Sequence, residues 1–264
     1  MKRNKLRELL NANKPTLSTH VHSTWPSIVE VIGHTEIFDY VEFVAEYGPF
    51  DLYALDNFCR AVELFDMSSM IKIDQEPRQS LAQRGIGAGF QSVLFSDCRT
   101  VEDARQCINA VRSETPGSEG TYGVAVRRFT YMDQPGSPEY VQYLDDIVVA
   151  LMIEKKDAVE NLEAILDLGG IDMVQWGPAD YSMSIGRAGD WKHPEVREAE
   201  RHVIKTCLEK GIAPRAEINS PETAKYYLDM GVQHFSIGTD VGILFHWLKK
   251  NGEQLRKIVE GAIT

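Results

Sequence analysis

The chain has 264 residues, of which 43% are hydrophobic and 9% aromatic, and it carries a formal net charge of −11. These values exclude a disordered or repetitive chain and predict a single compact domain over residues 1–264 with a large buried core. The excess of acidic residues argues against nucleic acid and against an anionic membrane surface as the main partner, because most of the protein surface would repel both.

The first residues, MKRNKLRELLNANKP, are charged and lack the apolar stretch of a signal peptide. No later segment holds eighteen uncharged apolar residues, so we expect a soluble, cytoplasmic protein. The four cysteines show neither a CxxC pair nor zinc-finger spacing to a histidine, which indicates reduced thiols without a chemical role; they are Cys59, Cys98, Cys107 and Cys207.

In chain order, short strand-like runs alternate with longer amphipathic segments. Strands are predicted at residues 16–22, 40–46, 70–74, 92–96, 148–154, 172–176, 213–219 and 234–238. Pro26, Pro77 and Pro221 occupy plausible first positions of helices, and Ser220 is a plausible N-cap. The segment DAVENLEAILDL has the spacing of one helix with a single apolar stripe.

Strict alternation of strands and helices predicts parallel strands, and eight such units fit a (β/α)8 TIM barrel of the α/β class. An open doubly wound sheet is the alternative, but no Gly-rich phosphate-binding fingerprint follows the first strand. A longer connection over residues 113–147 separates strands four and five, and long loops at a barrel mouth are often functional. Within it, Arg127 and Arg128 are either a solvated pair or a site for a substrate carboxylate.

The polar phase of each strand should face the barrel lumen, because the other phase packs under helices and must be apolar. This rule directs a set of polar side chains inward: Ser18, His20, His22, Glu42, Glu46, Lys72, Asp74, Glu154, Arg215 and Glu217. Branched aliphatic residues normally fill the centre of such a barrel. So many charges indicate a functional site, an internal ion-pair network, or both.

Two carboxylates stand out by their spacing. Glu154 ends the fifth strand and Asp180 follows the sixth, 180 − 154 = 26 residues later. Adjacent parallel strands are about 4.8 Å apart, so the two groups should lie close together at the same end of the barrel. Such a pair must share a proton, meet a cation or bind a metal, and oxygen ligands suit Mg²⁺ or Mn²⁺. The alternative is an ion pair with Lys155 or Lys72.

Several segments together resemble the HpcH/HpaI-type class II aldolases, which are pyruvate-dependent hydroxy-ketoacid aldolases. The segments are FDYVEFVAEYGPFDL, LMIEKKDAVENLEAIL, GIDMVQWGPADYSMSIG, HPEVREA and YLDMGVQHFSIGTDVGIL. The resemblance implies a (β/α)8 barrel with a swapped C-terminal helix in a homo-oligomer, a hexamer or trimer of dimers. It implies that Glu154 and Asp180 bind a divalent cation, with Mg²⁺ or Mn²⁺ favoured over Co²⁺ and Zn²⁺. It also implies that the turn Gly177, Pro178 and Ala179 receives the carboxylate of pyruvate.

The sequence departs from this family at its catalytic positions. Lys72 stands where the family has an arginine that supports the enolate oxygen, and an ammonium lacks the fork geometry of a guanidinium. Tyr47 and Val44 replace the family's histidine and its aspartate partner, while Glu46 is retained. A tyrosine hydroxyl is a poor base at neutral pH, so we expect His22, on the lumen face of the first strand, to carry the proton instead.

These features predict a metal-dependent carbon–carbon lyase that cleaves or forms a 4-hydroxy-2-oxoacid through a pyruvate enolate. A related enzyme that decarboxylates or condenses oxaloacetate is an alternative, because loss of CO₂ generates the enolate without a base. A catalytically inactive barrel that binds a ketoacid is the alternative outside enzymes.

Overall fold

The computed structural model describes residues 2–263 and confirms a (β/α)8 barrel. Eight parallel strands close in chain order, each paired with its two sequence neighbours and β8 paired with β1. The strands are β1 (Thr16–Val21), β2 (Tyr40–Val44), β3 (Ser68–Ile73), β4 (Ser92–Phe95), β5 (Val148–Ile153), β6 (Met173–Trp176), β7 (Ala213–Ile218) and β8 (His234–Thr239).

Helices surround the strands. They are α1 (Lys5–Asn11), α2 (Pro26–Gly33), α3 (Leu52–Val62), α4 (Arg78–Ala88), α5 (Val101–Val111), α6 (Arg127–Tyr131), α7 (Pro138–Asp145), α8 (Lys156–Glu160), α9 (Leu162–Leu166), α10 (Pro178–Ser184), α11 (Pro194–Glu209), α12 (Ala224–Leu228) and α13 (Asp240–Ile263), with a short 3-10 helix at Pro221–Thr223. None of the helices over the described residues combines the length and hydropathy that crossing a bilayer requires.

Local sequence explains where these helices begin and break. Pro26 is the first residue of α2, as predicted, whereas Pro77 is the N-cap of α4, one position earlier than predicted. The segment predicted as one helix is divided between α8 and α9 at Asn161, which corrects that prediction. The Asn161 side chain donates hydrogen bonds to the carbonyls of Asp157 and Arg99, and such side-chain bonds compete with helix continuation.

The lower half of the lumen is apolar and the upper half is charged. Leu6 of α1 closes the amino-terminal end of the barrel and is fully buried in a cluster with inward-facing residues of five strands. These lumen residues are Tyr40, Met70, Leu94, Val148, Ala150, Met152 and Met173. Burying a leucine of this kind contributes about 2 kcal/mol to folding. The polar groups predicted to face inward therefore lie toward the carboxyl ends of the strands, which is where barrel enzymes have their active sites.

The long connection begins and ends at the opposite end of the barrel from the predicted mouth, although its residue Thr121 reaches Gln79 in the first turn of α4. It follows a helix, α5, and precedes a strand, β5, so it belongs to the amino-terminal face, where αβ connections run. Arg128 forms an ion pair with Glu63 and packs beside Gly89, while Arg127 pairs with Asp56. The two arginines secure the connection against α3 within this subunit, and neither of them lines a pocket at the carboxyl ends of the strands.

A buried histidine should make folding stability depend on pH. His234 at the start of β8 is 7% exposed, contacts the Thr16 hydroxyl at 3.0 Å, and has its pKa lowered to about 4 by burial and by Arg215. In the unfolded chain a histidine has a pKa near 6.5. Below that pH the unfolded chain therefore binds a proton at His234, while the folded protein keeps this side chain neutral. We expect the free energy of unfolding to fall by about 2 kcal/mol between pH 7 and pH 5, and to level off below about pH 4.

Urea unfolding at several pH values measures this effect. His234→Asn should flatten the decline, whereas the exposed control His202→Asn should leave it unchanged. An identical pH dependence in the wild-type chain and the His234→Asn chain would show that other groups cause the decline.

Candidate active site

A cavity of about 370 Å³ opens at the carboxyl ends of the strands. It is lined by groups from both the lumen and the β6 turn, among them His20, Tyr47, Lys72, Glu154, Gly177, Asp180, Arg215 and Glu217. The structure therefore brings together most of the residues that the sequence singles out. His22 and Glu46 lie next to this set, since the His22 ring is 5.5 Å from the Tyr47 ring and Glu46 pairs with Lys72.

Glu154 is a buried carboxylate directly after β5. It is 4% exposed, and its Oε1 accepts a hydrogen bond of 2.7 Å from the Asp97 backbone N–H. Burial raises the pKa of Glu154, and the nearby charge of Asp180 raises it further, although Lys72 and the Asp97 N–H work in the other direction. A buried carboxylate in this state gains stability from any additional positive charge.

Asp180 lies in the first turn of α10 and is more exposed. Its Oδ1 is 2.5 Å from the Nζ atom of Lys155, which also lies 3.9 Å from Asp97. The ion pair with Lys155, the alternative considered from sequence, is thus present. The same carboxylate also faces a second pocket of about 410 Å³, in which six of the nine lining residues are acidic: Glu46, Asp74, Glu76, Asp97, Glu154 and Asp180.

The residues present fit a hard divalent cation. Glu154 and Asp180 line both pockets, so each carboxylate is accessible from the space between them. Among residues 2–263, no three His, Cys, Asp or Glu side chains form a closed metal cage. Mg²⁺ commonly binds through one or two carboxylates and completes its coordination with water and substrate oxygens, which is the chemistry that this donor set offers.

Gly177 is required by space at this site. A Cβ atom on Gly177 would lie 2.5 Å from the Cβ of Glu154 and 2.7 Å from its Oε2, so any larger residue would displace the carboxylate. The Gly177 N–H is already bonded to the Ile153 carbonyl at 3.1 Å, which continues the sheet ladder. The free amides of the turn are therefore those of Ala179 and Asp180, because first-turn N–H groups have no partner inside the helix.

Lys72 supplies a fixed positive charge. Its Nζ is 2.6 Å from Glu46 Oε2 and 5.1 Å from the centre of the Tyr47 ring, and the residue is 7% exposed. Burial alone would lower the pKa of Lys72, but the neighbouring charges, Glu46 first, outweigh burial and raise it. The ammonium group therefore stays protonated at any physiological pH.

The two candidate proton carriers, His22 and Tyr47, have pKa values shifted in opposite directions. Loss of hydration, followed by the neighbouring His20, lowers the pKa of His22, so this imidazole is neutral at pH 7. Loss of hydration raises the pKa of Tyr47, and the opposing effect of Lys72 is smaller. Tyr47 is thus further from acting as a base than an ordinary tyrosine, whereas His22 is in its proton-accepting form.

A polar network below the mouth was only partly anticipated. Arg215 and Glu42, both almost fully buried, form an ion pair of 2.5 Å across the lumen. Glu217 instead accepts a hydrogen bond of 3.0 Å from the Gln175 amide and lies 3.6 Å from His20 Nε2. Arg215 and Glu217 are successive inward positions of β7, yet closure of the barrel gives each a partner on another strand. Gln175 was missed, although its place in the polar phase of β6 identifies it.

The chain is similar to known proteins over nearly its whole length. A 4-hydroxy-2-oxo-heptane-1,7-dioate aldolase from Escherichia coli is 27% identical over 242 residues, covering 91% of this chain and 90% of that protein. The crystal structure of an HpcH/HpaI aldolase/citrate lyase family protein from Burkholderia cenocepacia superposes with a TM-score of 0.86 at 23% identity, covering 96% and 100% of the two chains. An HpcH/HpaI aldolase from Desulfitobacterium hafniense gives a TM-score of 0.84 at 22% identity, covering 96% and 97%.

The resemblance inferred from the motifs is confirmed by the match of residues 20–246 to a single family, which takes in both the fifth-strand glutamate and the turn that follows β6. This chain therefore belongs to the HpcH/HpaI aldolase/citrate lyase family and is a carbon–carbon lyase.

Proposed function

We propose that the protein cleaves and forms 4-hydroxy-2-oxoacids through an enolate of pyruvate, with a divalent cation held by Glu154 and Asp180. The observation that carries the proposal is their convergence, in one cavity, with the space-restricted turn at Gly177 and the buried ammonium of Lys72. When bound, the cation would supply Lewis-acid stabilisation of negative charge on the substrate oxygens.

The residues of the chain have distinct tasks in this reaction. The amides of Ala179 and Asp180 face the substrate carboxylate at the start of α10, where N–H groups and the helix dipole favour an anion. Lys72 places positive charge beside the oxygen on which the enolate charge develops, and Glu46 positions the ammonium through their ion pair. When the C3–C4 bond breaks, the electron pair stays on the pyruvate fragment and the C4 hydroxyl proton passes to His22.

Release of pyruvate tests the proposed reaction directly. A panel of 4-hydroxy-2-oxoacids incubated with the protein and Mg²⁺ or Mn²⁺ should yield pyruvate, followed by its reduction with lactate dehydrogenase. Binding of the ketoacids without turnover in any member of the panel, with either cation, would instead identify a ketoacid-binding barrel.

The proton acceptor can be identified from the pH dependence of cleavage. Because the pKa of His22 is lowered, its protonation should reduce kcat/KM only below about pH 6.5. His22→Asn should remove that acid limb and lower aldol cleavage by at least about tenfold, the smaller end of general-base effects. Tyr47→Phe should change kcat/KM by less than about threefold, since its raised pKa keeps the hydroxyl protonated.

Decarboxylation of oxaloacetate is the control, because it needs no proton acceptor at a hydroxyl group and should survive in His22→Asn. An acid limb that persists in His22→Asn but disappears in Tyr47→Phe would assign proton transfer to the tyrosine.

We also propose that the protein acts as a homo-oligomer in which α13 packs against another subunit. The helix exposes a long row of large apolar side chains, including Ile243, Phe245, Trp247, Leu248, Leu255 and Ile258. Outward-facing Phe235 and Ile237 of β8 are only half-buried, so part of the barrel wall has no helix over it. A sedimentation mass near 29.7 kDa, that of one chain, would contradict this proposal.

A further inference from the structure

The positive side chains around the active-site cavity already have carboxylate partners. Lys72 pairs with Glu46 at 2.6 Å and Arg215 with Glu42 at 2.5 Å. The other two positive residues that line the two pockets are engaged in the same way: Lys155 with Asp180 at 2.5 Å and Arg197 with Glu200 at 2.7 Å. Among residues 2–263, the cavity thus offers no unpaired Lys or Arg to a second substrate carboxylate.

Apart from Glu154, the proposed cation ligand, one carboxylate of the described residues faces the cavity without a Lys or Arg partner. Glu217 on β7 has a side chain that is 42% exposed, and both of its oxygens have identified neighbours. Oε2 accepts the Gln175 amide at 3.0 Å, and Oε1 is 3.6 Å from His20 Nε2. These contacts hold the carboxylate in one orientation while leaving lone pairs available to a ligand.

The position of Glu217 relates it to one half of the substrate. Gln175 is level with Arg215 in the parallel register of β6 and β7, so Glu217, two positions further along β7, lies level with Gly177 of the proposed pyruvate turn. The hydrogen bond from Gln175 ties Glu217 to the strand that leads to this turn. In the proposed reaction that turn and the cation bound by Glu154 and Asp180 would hold the pyruvate half. The remaining cavity wall along β7 and His20 of β1 is available to the aldehyde half. Glu217 is the carboxylate in this wall that has no Lys or Arg partner among the described residues.

We propose that Glu217 is a specificity-determining residue, which selects an aldehyde that carries a hydrogen-bond donor, hydroxyl or ammonium, and rejects one that carries a carboxylate. This inference rests on the proposed aldolase function. A donor on the aldehyde completes the hydrogen bonding of Glu217, whereas a carboxylate meets a like charge in a partly desolvated space and finds no free cation. The proposal separates this chain from its relatives named for a seven-carbon dicarboxylate substrate.

Condensation of pyruvate with four three-carbon aldehydes tests this selectivity in the intact, metal-loaded enzyme. The aldehydes are propanal, 3-hydroxypropanal, 3-aminopropanal and malonate semialdehyde, which differ only at the distal group. We expect kcat/KM for the hydroxylated and amino aldehydes to exceed that for malonate semialdehyde at least tenfold. Comparison of 3-hydroxypropanal with 3-aminopropanal shows which donor is preferred, and a preference for either one supports the proposal.

Glu217→Gln identifies the residue responsible. The ratio of kcat/KM for malonate semialdehyde to that for propanal should rise at least fivefold in this variant, and a general loss of activity would not move the ratio. Glu222→Gln, which changes an exposed glutamate of the 3-10 helix, should leave it within twofold of the wild-type value.

Two results would overturn the inference while leaving the aldolase function in place: preference for malonate semialdehyde, or a ratio unaffected by Glu217→Gln. Absence of condensation with every aldehyde, propanal included, would overturn both the inference and the function on which it rests.

Discussion

Chelation of divalent cations should abolish pyruvate release, and Glu154→Gln or Asp180→Asn should lower kcat/KM at limiting metal by at least about a hundredfold. Loss of a group that merely orients a metal ligand reduces metal affinity or activity by 10- to 100-fold, so loss of a ligand itself should have an effect at the upper end or beyond. Excess Mg²⁺ or Mn²⁺ should restore part of the activity, because the remaining carboxylate still contributes a ligand.

The same substitutions should leave the fold intact. Glutamine at position 154 keeps an oxygen that can accept the hydrogen bond from the Asp97 N–H. It also removes a buried carboxylate, whose charged form is disfavoured by burial, as the raised pKa of Glu154 indicates. We therefore expect the melting temperature of Glu154→Gln to equal or exceed that of the wild-type protein. Asp74→Asn is the matched control, since Asp74 lines the same acidic pocket without belonging to the proposed ligand pair.

An equal decrease of kcat/KM at limiting metal in Asp74→Asn and Asp180→Asn would show that the pocket needs only its overall negative charge. Full turnover of the Glu154→Gln, Asp180→Asn double variant in the presence of chelator would contradict a metal role altogether. Calorimetric titration of Mg²⁺ or Mn²⁺ into each variant measures its affinity for the cation directly and does not depend on the choice of substrate.

Removal of the Lys72 ammonium should be the second large effect. Lys72→Ala should lower kcat/KM by about a hundredfold to a thousandfold, the range found when one donor to a developing oxyanion is removed, or about 3–4 kcal/mol. The structural reason is that Lys72 is buried in the cavity and held protonated by Glu46, so its charge is available without rearrangement. Lys72→Arg should retain more activity than Lys72→Ala because it preserves the charge.

The ion pair with Glu46 provides the control for this experiment. Lys72→Ala alone leaves the Glu46 carboxylate unpaired, which can destabilise the site for reasons unrelated to the enolate. The double variant Lys72→Ala, Glu46→Gln removes both charges and should remain as inactive as Lys72→Ala. Recovery of activity to within about threefold of wild type in the double variant would limit Lys72 to a structural ion pair.

Much of this protein follows from local sequence patterns. Alternation of short apolar runs with amphipathic segments determined the barrel, because parallel strands joined by helices bury both faces of each strand. The period of two along each strand correctly separated inward Glu42 and Lys72 from outward Phe43 and Ile71. These features depend on neighbouring residues alone, so the sequence contains them directly.

Other features were decided by the tertiary structure. Arg128 carries a charge that suits a substrate carboxylate, but the connection that contains it runs along the amino-terminal face and pairs it with Glu63. Arg215 finds Glu42, on a strand that is not its neighbour in the sheet, because closure of the barrel brings β2 and β7 to face each other across the lumen. The requirement for glycine at position 177 likewise follows only from the approach of Glu154.

The physical reason for the difference is the range of the interactions. Strand phase, helix boundaries and the 26-residue separation of Glu154 and Asp180 are set by the repeat of one βα unit, which the sequence displays. The partners of each buried charge depend on register and barrel closure, which bring together residues as distant as Glu42 and Arg215. Single-residue patterns do not encode those distances, and only the folded chain determines which charges are neutralised and which, like Glu217, remain open to a ligand.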